Sequence, residues 1–131
     1  MTAAMGDDDL RRLVAAFYAR VRLDADLGPI FNDAIADWPG HLDTLGDFWS
    51  SVMRASGRYK GNPMAAHLKH AARITPAHFE RWLALWQATT AEMMAPDLAA
   101  ALQAKAGRIA ESLQLGLFYR PAGAIARADP A

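Results

Sequence analysis

Apolar residues along this chain recur three and four positions apart, the period of helices buried along one stripe, and no stretch alternates like a half-buried strand. Leu10, Leu13, Val14, Phe17, Tyr18 and Val21 form the first stripe. Asp7, Asp8 and Asp9 precede it, offering a cap and acidic charge for the positive end of a helix. Gly28-Pro29 interrupts the pattern and leaves Ile30 and Phe31 in a turn or a short helical piece. Asp37-Trp38-Pro39 opens the next helix, because proline suits the first helical position. His41, Leu45, Phe48, Trp49 and Val52 share one of its faces, and Gly57 is the expected stop. Asn62-Pro63 repeats the cap-then-proline signal before a short helix from Met64 to His70. Thr75-Pro76 opens a long helix with Phe79, Trp82, Leu83, Trp86 and Met93 facing inward. Pro96 opens the last, with Leu98, Leu102, Ala106, Ile109 and Leu113 on its buried stripe and Arg120-Pro121 at its end. The prediction is an all-α fold, one domain over residues 1–120, followed by a disordered tail, 121–131, with little to bury.

Composition narrows the function classes. A chain of 131 residues, 53% hydrophobic and 21% charged, suffices for one globular core and is too apolar to stay disordered. A formal net charge of zero argues against a nucleic-acid or anionic-membrane partner, either of which calls for a clustered basic face. With no cysteine there is no disulfide, no thiolate ligand to iron and no covalent haem attachment of the Cys-x-x-Cys-His kind. Any cofactor must be held by histidine, oxygen ligands or packing. The first ten residues carry three aspartates and no apolar run, unlike a secretory signal, and no segment is apolar for long enough to span a bilayer. A cytoplasmic protein is expected, and the Ala- and Arg-rich composition suggests a bacterial source.

Chemistry must then come from individual side chains. Of the four histidines, His41, His67, His70 and His78, a lone one on a helix is ordinarily structural or solvated. His67 stands apart because it sits within the short proline-started helix among Met64, Ala65, Ala66 and Leu68, an apolar wall for a ligating imidazole. A bond from its ring to a metal would also steady a helix too short to hold itself. His67 and His70 have the spacing of a non-haem metal pair, yet no nearby carboxylate completes a ligand set, so that signal is weak. Tyr18 occupies an inward position beside Phe17, where a phenol needs a hydrogen-bond partner. It is either a core tyrosine bonded to backbone or a donor aimed at a bound ligand, and the indole N–H of Trp82 poses the same choice. Trp49 and Trp86 read as packing residues. No glycine-rich phosphate loop, nucleophile-base pair or pair of carboxylates in an apolar setting is present in the sequence.

The ordered series of motifs resembles the truncated haemoglobins, specifically their third group. It comprises Phe17-Tyr18, Asp26-Leu27-Gly28-Pro29-Ile30-Phe31, Trp38, His41, Leu45-Gly46-Asp47-Phe48-Trp49, Tyr59-Lys60-Gly61-Asn62-Pro63-Met64, His67, Phe79 and Trp82. It extends from about residue 10 to 119. The absence of a Gly-Gly pair, which the first group carries beside its helices, and the histidine at position 41 both favour the third group. The resemblance implies a two-on-two helical sandwich around haem b (iron protoporphyrin IX). It implies His67 as the proximal iron ligand and Phe31 as the aromatic packed on the haem face. Tyr18, His41 and Trp82 then match polar distal residues, and Leu45 and Phe48 apolar pocket positions. Tyr59 and Met64 are further expected cofactor contacts. For the haem propionates, Arg58, Tyr59, Lys60 and Arg73 are near enough in sequence, which does not choose among them, and His70 has no family role.

The implied function is binding of O₂, CO and NO, with distal donors that stabilise the ligand and slow its release. His41 is either one of these donors or a gate that swings toward solvent. The alternative is haem-dependent redox detoxification, as an NO dioxygenase or a peroxidase-like enzyme, which requires an electron donor such as an unidentified reductase. A reading from a different class is a cofactor-free helical interaction module whose aromatic residues are only core; it predicts a colourless protein.

Overall fold

A computed structural model describes residues 5–118, which form six helices and, among the described residues, no strand. These are α1 (Asp7–Leu23), α2 (Gly28–Ala34), α3 (Trp38–Arg54), α4 (Pro63–Leu68), α5 (Pro76–Met93) and α6 (Pro96–Phe118). The expected end of the last helix at Arg120-Pro121 and the tail 121–131 lie outside the described residues.

Local chemistry sets most boundaries. The cap of α1 is Gly6, one residue before the aspartates, and its N–H donates to the Asp9 carboxylate at 3.0 Å. A carboxylate at the third helical position can fold back in this way, so the aspartate run supplies the cap from inside the helix. At α2 only glycine fits at position 28, where a Cβ would collide with the backbone carbonyl of Arg22. Asp37 caps α3 by accepting from Gly40 N–H at 3.1 Å, and Asn62 caps α4 by accepting from Ala65 N–H at 3.1 Å.

Several expected boundaries and faces move. Gly57 is not the stop of α3: the helix ends at Arg54, and Ala55 takes the left-handed turn at φ 54°. Serine side chains hold that early reversal, since Ser50 Oγ bonds Ser56 Oγ and Ser51 Oγ accepts from Tyr59 N–H. Helix α4 stops at Leu68, short of His70, and passes into turns closed by His70 N–H to His67 O and Arg73 N–H to His70 O. Met93 is 42% exposed, whereas Thr89 and Thr90 are fully buried. Their hydroxyls donate back to the carbonyls of Leu85 and Trp86, which lets two polar residues occupy core positions. On α6 the buried stripe uses Ala99 where Leu98 was expected, and Leu98 is half-buried.

Helix α1 packs on α3, α5 and α2, α5 packs on α6, and α4 packs on α6. The result is a pair, α1 with α3, joined through the α1–α5 contact to a second pair, α5 with α6. Residues of α1, Trp38, Trp49, Trp86 and Leu102 form the larger core cluster. Phe79, Ala110 and Leu113 form a smaller one, flanked by Met64 and Ile74. No described helix is long and apolar enough to cross a membrane.

Candidate functional site

A cavity of about 460 Å³ is bordered by members of both clusters and takes wall residues from all six helices. That volume lies within the range of small-molecule and cofactor sites. Its lining is mainly apolar, with Phe31 from α2, Leu45 and Phe48 from α3, Phe79 from α5, and Ile109 and Leu113 from α6. Tyr18, His41, Tyr59, His67 and Trp82 also line it, so the fold gathers these predicted residues around one space.

Tyr18 is 4% exposed and sits on the inward face of α1. The indole N–H of Trp82 donates to its oxygen at 3.4 Å. Because that bond uses an oxygen lone pair, the phenolic proton stays available for donation into the cavity. Burial pushes the Tyr18 pKa up to about 12, with the Trp82 bond offsetting part of the rise. The hydroxyl therefore stays protonated at neutral pH and acts as a donor. Its ring lies 6.4 Å from that of His41, edge to face, and 5.7 Å from that of Phe31. Half-burial of His41 lowers its pKa, which favours the neutral imidazole at pH 7.

His67 lies on a separate wall. Its Nδ1 is 2.7 Å from the carbonyl oxygen of Pro63, one helical turn earlier. A carbonyl only accepts, so Nδ1 carries the proton and Nε2 keeps its lone pair free to bind a metal. A backbone carbonyl holding the other ring nitrogen is the usual support for a metal-ligating histidine. The ring also lies 6.5 Å from that of Phe79, nearly parallel.

Met64 is the expected contact that does not line the cavity. It belongs to the flank of the smaller cluster, and its thioether lies where a Cβ of Gly116 would stand. Three of the four expected propionate partners are also absent from the walls. Arg58 pairs with Asp7 at 3.2 Å, Arg73 pairs with Asp33 at 3.0 Å, and Lys60 does not line the space. Conversely, His70, His78, Lys69 and Ile74 line it without having been read as site residues. Ile109 and Leu113 were legible only as a buried stripe. Among the described residues, no three His, Asp or Glu side chains gather as a ligand set for a bare metal ion.

The bacterial-like globin family matches residues 3–111. The "Group 3 truncated hemoglobin ctb" of Campylobacter jejuni is 36% identical over 87 residues, covering 63% of this chain and 68% of that protein. The chain belongs to the truncated haemoglobins of the third group. The crystal structure of a group III truncated hemoglobin from Campylobacter jejuni superposes with a TM-score of 0.79 and 30% identity. The match covers 91% of this chain and 97% of that one. As a globin, this truncated haemoglobin has haem-based binding of small gaseous ligands as its class of activity. Its cavity fits such a group: a cofactor-sized apolar space with a histidine whose free lone pair belongs to Nε2.

Proposed function

We propose that this truncated haemoglobin holds haem b in the cavity through His67 and captures O₂, CO and NO beside Tyr18, His41 and Trp82. When bound, haem iron supplies a coordination position for a diatomic gas and access to redox chemistry. The chain supplies the rest. The observation that carries the reading is the His67–Pro63 hydrogen bond, which fixes the tautomer and leaves Nε2 basic. Phe31, Leu45 and Phe48 keep water from the macrocycle, and Tyr59, stacked edge to face on Phe48 at 5.2 Å, extends that wall. Met64 supports α4 from behind by packing on α6. Tyr18, polarised by Trp82, donates to a ligand that gathers negative charge.

The same Trp82–Tyr18 arrangement favours a second reading. The Tyr18 hydroxyl, preset beside the ligand, would polarise a peroxide or a nitrogen oxide, which suits NO dioxygenation or peroxidase-like turnover with electrons from a reductase. Steady turnover of nitric oxide or peroxide with a reductant supports it; stoichiometric binding alone removes it.

The principal test is the absorption spectrum of the haem-reconstituted protein, reduced and exposed to carbon monoxide, for the wild type and His67→Gly. A strong haem band that shifts with carbon monoxide is expected. It should change in the variant and recover when imidazole is added. A variant spectrum identical to wild type would exclude His67 as the iron ligand, and a wild type that takes up no haem would exclude the haem reading altogether.

A further inference from the structure

All four histidines of the chain line the one cavity, and the function proposed above uses two of them. The other two, His70 and His78, lie with Lys69 on one continuous stretch from the turn after α4 to the first turn of α5. Among the described residues that line the cavity there is no Asp or Glu, and Lys69 is the one permanent cation. Lys69 is exposed, while His70 and His78 are half-buried, so this stretch forms the wet edge of an otherwise apolar space.

His78 is held in a defined state. Thr75 N–H donates to its Nδ1 at 3.0 Å, and the Thr75 hydroxyl lies 3.2 Å from the same nitrogen. Because Nδ1 accepts, the neutral ring carries its proton on Nε2 and keeps that donor for a partner beyond the helix cap. His70 is fastened by backbone: its N–H bonds the carbonyl of His67, and its own carbonyl accepts from Arg73 N–H. Two orientable imidazoles and an ammonium, with no competing carboxylate in the same wall, make a receptor for a carboxylate pair. The two arginines expected from the sequence are engaged elsewhere, Arg58 by Asp7 and Arg73 by Asp33.

Building on the haem reading, we infer that the two carboxylates of the bound porphyrin are held at the edge formed by Lys69, His70 and His78. A carboxylate withdrawn from water without such partners is costly, so the edge selects one orientation of a flat diacid in the cavity. The class of ligand is a planar macrocycle with acid groups on one side only.

The test compares iron protoporphyrin IX with its dimethyl ester, which lacks the two charges. Affinity is read by quenching of tryptophan fluorescence as each porphyrin is titrated into the apoprotein, for wild type, Lys69→Glu, His70→Glu and His78→Glu. The glutamate at position 78 retains an acceptor for the Thr75 cap, so helix α5 keeps its start. Each variant is expected to bind the diacid about tenfold more weakly while its affinity for the diester stays within about twofold of wild type. Arg58→Gln and Arg73→Gln are expected to leave the diacid-to-diester ratio unchanged. Equal losses for both porphyrins, no loss for either, or a loss of the diacid preference in the arginine variants would each overturn the inference. Failure of the wild type to take up either porphyrin would overturn this inference and the haem reading together. Wild-type uptake of both with unaltered variants would overturn the edge assignment alone.

Discussion

Tyr18 has one hydroxyl and two duties, accepting from Trp82 and donating to whatever enters the cavity. Burial keeps its proton in place, so the donor is present throughout the pH range near neutrality. A hydrogen bond to a group bearing partial charge contributes roughly 1.5–3 kcal/mol. Tyr18→Phe is therefore expected to accelerate O₂ dissociation by about 10- to 100-fold in stopped-flow displacement. Trp82→Phe should give a smaller increase, because it removes the partner that orients the phenol and leaves the phenol itself. A change below about twofold in Tyr18→Phe would take Tyr18 out of ligand stabilisation.

At the scale of elements, the weakest member is the six-residue α4, which bears His67. A helix of that length does not persist alone. It stands because Asn62 caps it, Pro63 presets its first turn and Met64 packs it against α6. Leading into it, the last turns of α3 and the loop that follows are tied to the start of α1 through Asp7, whose carboxylate receives Ser50 Oγ at 2.7 Å, Arg54 at 2.7 Å and Arg58 at 3.2 Å. The hydrogen bond from Ser50, then that from Arg54, holds the Asp7 carboxyl below its usual 3.8. A depressed folded value means that the stabilisation is complete above 3.8 and disappears as pH falls through the lower folded value. Asp7→Asn should thus lower the urea midpoint at pH 7, with the gap to wild type narrowing as pH is taken from roughly 4 toward 2. A gap that stays constant across that range would show that the charge of Asp7 adds nothing to the clamp.

For the whole molecule, core and cavity share their central pieces. Trp86 is fully buried, stacks on Trp49 at 4.6 Å and lies parallel to Trp82 at 6.0 Å, and its N–H donates to the carbonyl of Leu102 at 3.1 Å. Both indole neighbours are cavity walls. Loss of this ring should therefore weaken folding and cofactor retention together. Trp86→Ala is expected to cost about 3–5 kcal/mol in urea unfolding of the reconstituted protein. It should also speed transfer of haem to an excess of an apoglobin acceptor. A variant destabilised as expected but with unchanged haem transfer would separate the stack from the cavity, leaving it a purely structural core.

Much of this protein is written locally. Asp37, Asn62 and Thr75 announced three helix starts because caps and first-turn prolines act within three or four residues of themselves. His67 was conspicuous for the same reason, a ligand-type side chain in an apolar helix too short to stand alone. Sequence pattern stopped where packing chooses among like residues. A stripe facing a core and a stripe facing a cavity have the same period, so Ile109 and Leu113 read as core until the fold set them in the cavity wall. Met64 and His70, close neighbours of His67 in sequence, parted, one packing behind α4 on Gly116 and the other lining the cavity. Ala55 ended α3 before the glycine because serine hydroxyls captured the following turn. Local chemistry determined which segments are helices and where most begin; only the tertiary structure decided which of their faces meet around the cavity, because that depends on contacts between residues far apart in the chain.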